Sequence, residues 1–495
     1  MSTANTHGPT AMTGPPRPVR RWLVLAICCL SVGVTGINLT IVNVALPSIG
    51  KDLHASVSAL QWTVDAYSLV MACLLVPSGS MADRFGRKRI FRLGLSLFSL
   101  GSLLCGFAPS AGWLIVFCGL QGVGGSMLNP VAMSIIVGVF TDGRERARAI
   151  GVWGSAIGVT IAAGPVLGGL LVSGTDWRSV FWVNVPIGIA VIVLIQRFVP
   201  ESKAARARAF DPPGQALIVV LFASIVAATI EGPRVGWAEP RILGLIVLAV
   251  LALVGILTVE PRRSEPLIDL RFFRSPPFAG ANVISVTMSA SLGGFLFLNT
   301  LYLQDVRHFS PLHAGLMIIP MAVGQAVAAT LSGRLLASRG PRLPLALGGA
   351  LLAGGGFLLV PLTAHTENAY LLATYAVFGL GAGMISPPVT NTAVSGLPLD
   401  QVGVAGALVA SARQFGVAIG VAVTGAIVAG TGADFVDSSR TAWAVLGGCG
   451  LVALALGVIS TSGWAKAAAA RNGRRLAAAP IPESPGHLRV EAGKE

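Results

Sequence analysis

The eleven residues Gly79-Ser-Met-Ala-Asp83-Arg84-Phe-Gly86-Arg87-Lys88-Arg89 set one carboxylate among four cations, between an apolar run over 59–81 and another over 90–108. A helix needs ~20 apolar residues to cross a bilayer, so each run reads as a span and the charged stretch as a short connection at a membrane surface. The pattern returns later in the chain. Gly79-x6-Gly86 with Arg84 and Arg87 recurs as Gly333-x6-Gly340 with Arg339 and Arg342, at an offset of 254 residues and again after the second run of a set. Likewise Gly122-x-Gly124-x5-Pro130 recurs as Gly379-x-Gly381-x5-Pro387 at an offset of 257. Two nearly equal registers argue for a duplicated six-helix unit.

Working outward, apolar runs bounded by Pro, Gly and charge fall near 22–46, 59–81, 90–108, 112–137, 148–172 and 180–196, then 213–231 and 241–259, then 278–303, 314–335, 343–362, 369–392, 402–430 and 441–464. That makes fourteen spans. The composition agrees: 54% of the 495 residues are hydrophobic and 11% charged, with a mean hydropathy of +0.76, which excludes a soluble enzyme of this size. The expected fold is an all-α polytopic membrane protein. It has a cytoplasmic tail (1–21), two six-helix bundles (22–197 and 278–464), a two-helix insert (213–259) and a disordered cytoplasmic tail (465–495). Parallel repeats of this kind place the substrate between the bundles near the midplane, and the halves rock about it.

The net charge of +14 would suggest nucleic acid on a soluble surface, so the position of the cations decides its meaning. With the N-terminus in the cytoplasm, 27 Lys and Arg fall on the inner side and six on the outer. This satisfies the positive-inside rule, puts both termini in the cytoplasm, and turns the charge into a topology signal that also suits anionic lipid. Nucleic acid is set aside and the cytoplasmic membrane is the expected location. Arg20-Arg21 precedes a run too long for a cleaved signal, which is read as a retained anchor. All six cysteines lie in apolar runs, the six histidines lie in tails or loops, and no GxxxxGK[ST] occurs. Neither a metal site, a disulfide framework nor an ATP site is indicated. No enzyme activity, cofactor or obligate protein partner is expected, and the remaining energy source is the proton gradient.

Several motifs sit at informative places. The Asp83 carboxylate among Arg84, Arg87, Lys88 and Arg89 at the membrane edge can cap or bridge a helix in one rocking state only, a conformational latch. In the fifth span, Gly158-x5-Gly164-Pro165-x2-Gly168-Gly169 makes a small-residue face that lets another helix approach closely. Trp177-Arg178 through Asn184-x-Pro186 opens the sixth span and reads as structural. Together these residues resemble the major facilitator superfamily, and within it the fourteen-helix drug:proton antiporters of the multidrug and antiseptic-resistance exporter type, over about residues 20–465. The resemblance implies that Gly79, Asp83, Arg84, Gly86 and Arg87 form the cytoplasmic gate. It also implies that Gly158, Gly164, Pro165, Gly168 and Gly169 form the antiporter motif.

The first span carries a polar stripe, Asn38, Thr40 and Asn43, which must find partners or line a cavity. The family usually has Asp at the position of Asn38 and Arg at that of Cys118, so a charge pair between the first and fourth spans reads as jointly deleted. Asp65 is then the clearest acid inside the bundle. It lies ~9 Å below the outer end of its helix, at the depth of Asn38, and the two are expected to face one cavity. Asp65, Asn38, Asn43 and Arg413 are the candidate proton-coupling and substrate residues, and Thr40, Trp62, Tyr67 and Gln121 candidate lining. Arg413, the clearest deep cation, serves either substrate-anion recognition or a structural tie between the halves. The expected function is proton-driven export of amphipathic, cationic, drug-like compounds by alternating access. The alternatives are a lipid or metabolite exporter, or a facilitator without proton coupling.

Overall fold

The computed structural model describes residues 21–203, 211–263, 266–397, 401–430 and 435–478. The expected inner-side cations Arg17, Arg20, Arg206 and Arg208 lie outside the described residues, as does the end of the chain from 479.

The first six spans are α1 (Arg21–Asp52), α2 (Val57–Phe85), α3 (Arg87–Gly106), α4 (Ala111–Val139), α5 (Gly143–Gly174) and α6 (Ser179–Phe198). The insert is α7 (Pro212–Val235) and α8 (Pro240–Val259). The remaining spans are α9 (Pro276–Val306), α10 (Pro311–Arg339), α11 (Arg342–Leu358), α12 (Asn368–Val394), α13 (Val402–Gly430) and α14 (Phe435–Ser460). Among the described residues thirteen helices are long and apolar enough to cross a membrane. The helix over the expected eleventh span, α11, is apolar but has only 17 residues, and ends in turns before Pro361.

The ends follow local chemistry. Ser56 caps α2 by accepting from Ala59 N, Asp142 caps α5 by accepting from Arg144 N and Glu145 N, and Asp211 caps α7. Proline opens α7, α8, α9 and α10, where the missing N–H has no partner to lose. The expected disordered tail 465–495 is corrected at its start: a further helix, α15 (Gly463–Ala478), follows the last span. It buries Ala465, Ala469 and Leu476, and Asn472 Nδ2 donates to Arg271 O at 3.0 Å. An apolar residue every three or four positions gave this segment a face to dock, which its Ala-rich composition obscured.

The two halves repeat each other in packing. In the first, α1 lies against α4, α5 and α6, α4 against α2 and α3, and α3 against α6. In the second, α9 lies against α12, α13 and α14, α12 against α10 and α11, and α11 against α14. The insert is asymmetric: α7 packs into the seam between α2 and α13, whereas α8 packs on α7 and turns Leu243, Val247, Val250, Leu251 and Val254 outward. Such apolar exposure is what a lipid-facing helix shows.

The halves meet at one end. Gln304 Nε2 donates to Val44 O at 2.9 Å, Leu312 N to Ser173 Oγ at 3.2 Å, and Gln61 Nε2 to Val421 O at 3.2 Å and Ala422 O at 2.9 Å. At the end bearing residues 79–89, Gly151, Gly154 and Gly158 of α5, Gly333 of α10, and Gly403 and Gly406 of α13 have no described atom within 4 Å of where a Cβ would stand. Among the described residues the hydrogen bonds between the bundles run through the other end and the middle, so the bundles are closed there and parted at the charged loop.

Candidate functional site

Four helices bring their polar side chains to one point in the first bundle. Asn38 of α1 and Gln121 of α4 exchange two amide hydrogen bonds, at 3.0 and 3.1 Å. Gln121 Nε2 also donates to Ser102 Oγ of α3 at 2.7 Å, and Asn184 Nδ2 of α6 reaches Asn38 Oδ1 at 3.5 Å. All four residues are buried. In apolar surroundings each of these groups needs a partner, and the amides supply one another without net charge. Asn184, taken from the sequence as shaping the start of its helix, belongs to this cluster; Ser102 carried no signal apart from its place on the helix.

A small cavity lies beside the cluster, lined by Asn38, Leu39, Val42, Thr63, Val64, Tyr67, Ser68, Cys118 and Gln121. It has room for about one water molecule, far below what an organic cargo needs. Of the expected lining residues, Tyr67 and Gln121 are here, and Thr40 and Trp62 are not. Thr40 Oγ1 donates to Ile161 O of α5 at 3.2 Å, and Trp62 Nε1 donates to Glu231 Oε1 of α7 at 3.1 Å. Asn43 donates to Leu39 O of its own helix at 3.0 Å. Cys118 Sγ stands 3.8 Å from Cys105 Sγ, so the position where the family carries an arginine holds a thiol contact.

The second bundle treats the matching positions differently. At the 257-residue offset Asn38 corresponds to Phe295 and Gln121 to Phe378, and these rings stack at 4.6 Å between centroids. Trp443 and Tyr375 close around them, both fully buried. One repeat thus has a hydrogen-bonded centre and the other an aromatic one.

Asp65 is fully buried, and neither carboxylate oxygen has a hydrogen-bond partner among the described residues. It does not share the cavity with Asn38, which corrects the expectation that the two face one space. The reason is helical phase: at 100° per residue, Asp65 lies between Gln61 and Leu69 on α2. Gln61 meets Val421 and Ala422 of α13, and Leu69 packs with Ala418, Ala422, Val226 and Ile230. Val64, Tyr67 and Ser68 take the cavity side. Asp65 therefore points into the seam of α2, α13 and α7. Arg413 is on the other side of that seam, on α13, half-buried and without an ion pair or hydrogen bond among the described residues.

At the charged loop, Arg87 Nη2 lies 3.1 Å from Asp83 Oδ1, and Arg87 N donates to Ser202 O at 2.9 Å. Lys88 N donates to Glu201 Oε1 at 3.1 Å and Lys88 Nζ to Gln196 O at 2.8 Å, while Arg84 remains beside Phe85. Gly86 adopts φ +109°, and an added Cβ would stand 2.6 Å from Glu201 Oε1. Gly79 is loosely seated against Pro130, at 3.9 Å. These partners belong to the first bundle, so the loop is folded onto its own half.

The glycines of α5 divide by position. A Cβ on Gly164 would meet Thr40 Oγ1 of α1, and one on Gly168 would lie 2.9 Å from Ile41 Cγ1. Gly169 faces the other bundle, 2.5 Å from Pro311 O by the same measure, and Pro165 O stands 2.3 Å from where a Cβ of Gly315 would be. Gly158 touches nothing described. The motif is thus a two-sided contact, against α1 and against the start of α10, at the closed end. Nearby, Trp177 Nε1 and Arg178 Nη1 both donate to Asp52 Oδ2, at 3.0 and 2.9 Å. Partial burial would lower the Arg178 pKa, but Asp176 and Asp52 outweigh it and hold the guanidinium above its usual value.

Comparison with known proteins agrees with this architecture. The description Major Facilitator Superfamily matches residues 28–421. The chain is 35% identical over 407 residues to the multidrug resistance protein Stp of Mycobacterium tuberculosis, covering 82% of this chain and 76% of that one. It is 35% identical over 433 residues to the tetracenomycin C resistance and export protein of Streptomyces glaucescens, covering 87% and 80%. Among solved structures, the nucleoside transporter NupG superposes with a TM-score of 0.63 at 10% identity, covering 89% of this chain and 100% of that one. A bacterial homologue of the lysosomal transporter Spinster, in an inward-facing and occupied conformation, gives 0.61 at 18% identity, covering 93% and 98%. The chain is a multi-pass membrane transporter and belongs to the major facilitator superfamily.

Proposed function

We propose that the protein is a drug exporter of the cytoplasmic membrane, driven by protons and working by alternating access. The observation that carries the coupling is Asp65, a partnerless carboxylate buried in a seam between two bundles that must move past each other. A carboxyl group there takes up a proton when its surroundings disfavour charge and gives it up when the seam opens to water. The names of the relatives, which are resistance and efflux proteins, support the cargo class. With both termini cytoplasmic, as the 27-to-6 charge bias favours, the parted end faces the cytoplasm. The conformation is then the one that accepts cargo from inside. The geometry withdraws one support from a cationic cargo, because Asp65 does not look into the open space.

The test is proton movement driven by a cargo gradient in proteoliposomes, on wild type and Asp65→Asn. Proton flux with wild type alone supports antiport through this carboxylate. Equal cargo movement in both, with no proton flux in either, supports the facilitator reading that the neutral Asn38–Gln121 pair leaves open.

A further inference from the structure

The neighbours of Arg413 on α13 fix which way it looks. Gln414 Nε2 approaches Met71 Sδ of α2 at 3.2 Å, and Phe415 stacks on Phe222 of α7 at 4.2 Å. Gly416 and Gly420 lie against Val286 and Ala290 of α9. Three sides of the helix are thereby occupied by α2, α7 and α9. Arg413 shares its face of the helix with Val417 and Gly420, which lie against Gly293 and Ala290 of α9, and stands half-buried one to two turns nearer the parted end. Gly406 lies two turns earlier on the same face, and a Cβ there would meet no described atom within 4 Å. The face that carries Arg413 is thus packed on α9 toward the closed end and unfilled toward the parted end.

Asp65 does not neutralise this cation. Its neighbours Gln61 and Leu69 are level with Ala418 to Ala422, which sets Asp65 about 10 Å further along the seam at 1.5 Å per residue, and on the side toward α7. A structural tie would show a bonded partner, and Arg413 has none among the described residues.

We propose that Arg413 is the recognition point for an acidic group on the cargo, a carboxylate or an ionised phenol on an otherwise apolar ring compound. This rests on the reading of the protein as a drug exporter and specifies its substrate class. A guanidinium without a counterion deep in a membrane protein is costly, and it forms paired hydrogen bonds with a carboxylate that an ammonium cannot match. The cargo supplies the missing charge, and the apolar walls of the gap supply contact for its rings.

The test uses proteoliposomes and three probes on one aromatic skeleton: a free carboxylate, its methyl ester and a quaternary ammonium analogue. Wild type is expected to move the carboxylate about tenfold faster than the ester, equivalent to roughly 1.4 kcal/mol. Arg413→Gln is expected to erase that preference while still moving the ester, and Arg413→Lys, which keeps the charge but not the paired bonds, to keep part of it. An unchanged preference in Arg413→Gln, or a wild type that favours the quaternary ammonium, overturns the proposal and leaves drug export standing. If Arg413→Gln moves nothing, recovery of carboxylate transport in Arg413→Lys supports the proposal and failure to recover overturns it. A wild type that moves none of the three overturns both readings.

Discussion

Asn38 and Gln121 grip each other by both ends of their amides, Asn38 Nδ2 to Gln121 Oε1 at 3.0 Å and Gln121 Nε2 to Asn38 Oδ1 at 3.1 Å. A neutral clasp between α1 and α4 thus joins Asn38, where the family resemblance places an acid, to Gln121, three residues beyond Cys118, where it places a base. Breaking one side leaves buried polar atoms unpaired, whereas removing both sides removes the demand. Asn38→Leu and Gln121→Leu should each cost about 1–3 kcal/mol. The double variant should cost clearly less than their sum. Thermal unfolding in detergent of the four proteins of the cycle measures this; additive losses would show that the clasp contributes nothing as a pair.

Gly169 and Gly315 close the outer contact by allowing backbone against backbone. A side chain at either must push the start of α10 away from α5, since its Cβ would lie 2.5 Å from Pro311 O or 2.3 Å from Pro165 O. Gly169→Val should therefore favour the state parted at this end. A cysteine placed at Gln304, which now donates to Val44 O, should be labelled about tenfold faster in that background, for a shift of roughly 1.4 kcal/mol. Gly158→Val, at a position with nothing within 4 Å, should leave labelling unchanged.

The two copies of the charged loop make a matched comparison. Gly86 has φ +109° with Glu201 Oε1 2.6 Å from an added Cβ, whereas Gly340 has φ +76° with nothing nearby. Alanine at either position carries the backbone penalty of roughly 1 kcal/mol. Only Gly86→Ala must also displace the carboxylate that receives Lys88 N. Gly86→Ala should lower the melting temperature more than Gly340→Ala, and equal shifts would mean that the Glu201 contact is slack.

The helix after the last span gives a truncation test. Ending the chain after Ser462 removes Ala465, Ala469 and Leu476 from their buried positions and Asn472 from Arg271 O. The melting temperature should fall by several degrees, because burying an apolar side chain contributes about 1.5–3 kcal/mol. Ending after Ala478 should change it little. The same temperature for both would mean that α15 rests on the bundle without holding it.

The duplicated bundles could be read from the chain because glycine spacing and charged loops repeat at offsets that helix packing preserves, as with Gly122 and Gly379. Asp65 and Arg413 could be picked out because a charge in a long apolar run is conspicuous. Their surroundings could not. Depth along a helix follows from counting, but direction depends on which neighbour lies on which side, and only about 60° separates the cavity side of Ser68 from the seam side of Asp65. The Asn38–Gln121 clasp was hidden for the same reason: the loss of two charges was visible, and the amide that replaced their partnership stood three residues from Cys118. The helix at Gly463–Ala478 was missed because alanine-rich composition reads alike in a docked helix and in a loose tail.

The inserted helix α7 is joined to the two halves in unlike ways. Toward α2 it is fastened by directional bonds, Trp62 to Glu231 and Gln215 Nε2 to Cys73 O at 2.7 Å. Toward α13 it offers smooth contact, the Phe222 ring on the Phe415 ring and the aliphatic cluster around Ala418 and Ala422. If the halves rock as proposed, such a helix is a curtain hung from one wall, held to α2 and free to slide across α13. Asp65 stands behind it, so acyl chains are kept from the carboxylate while the halves shift. On the proposed reading of Asp65 as the coupling group, the insert works as insulation, a wall of protein between a titrating carboxylate and the lipid.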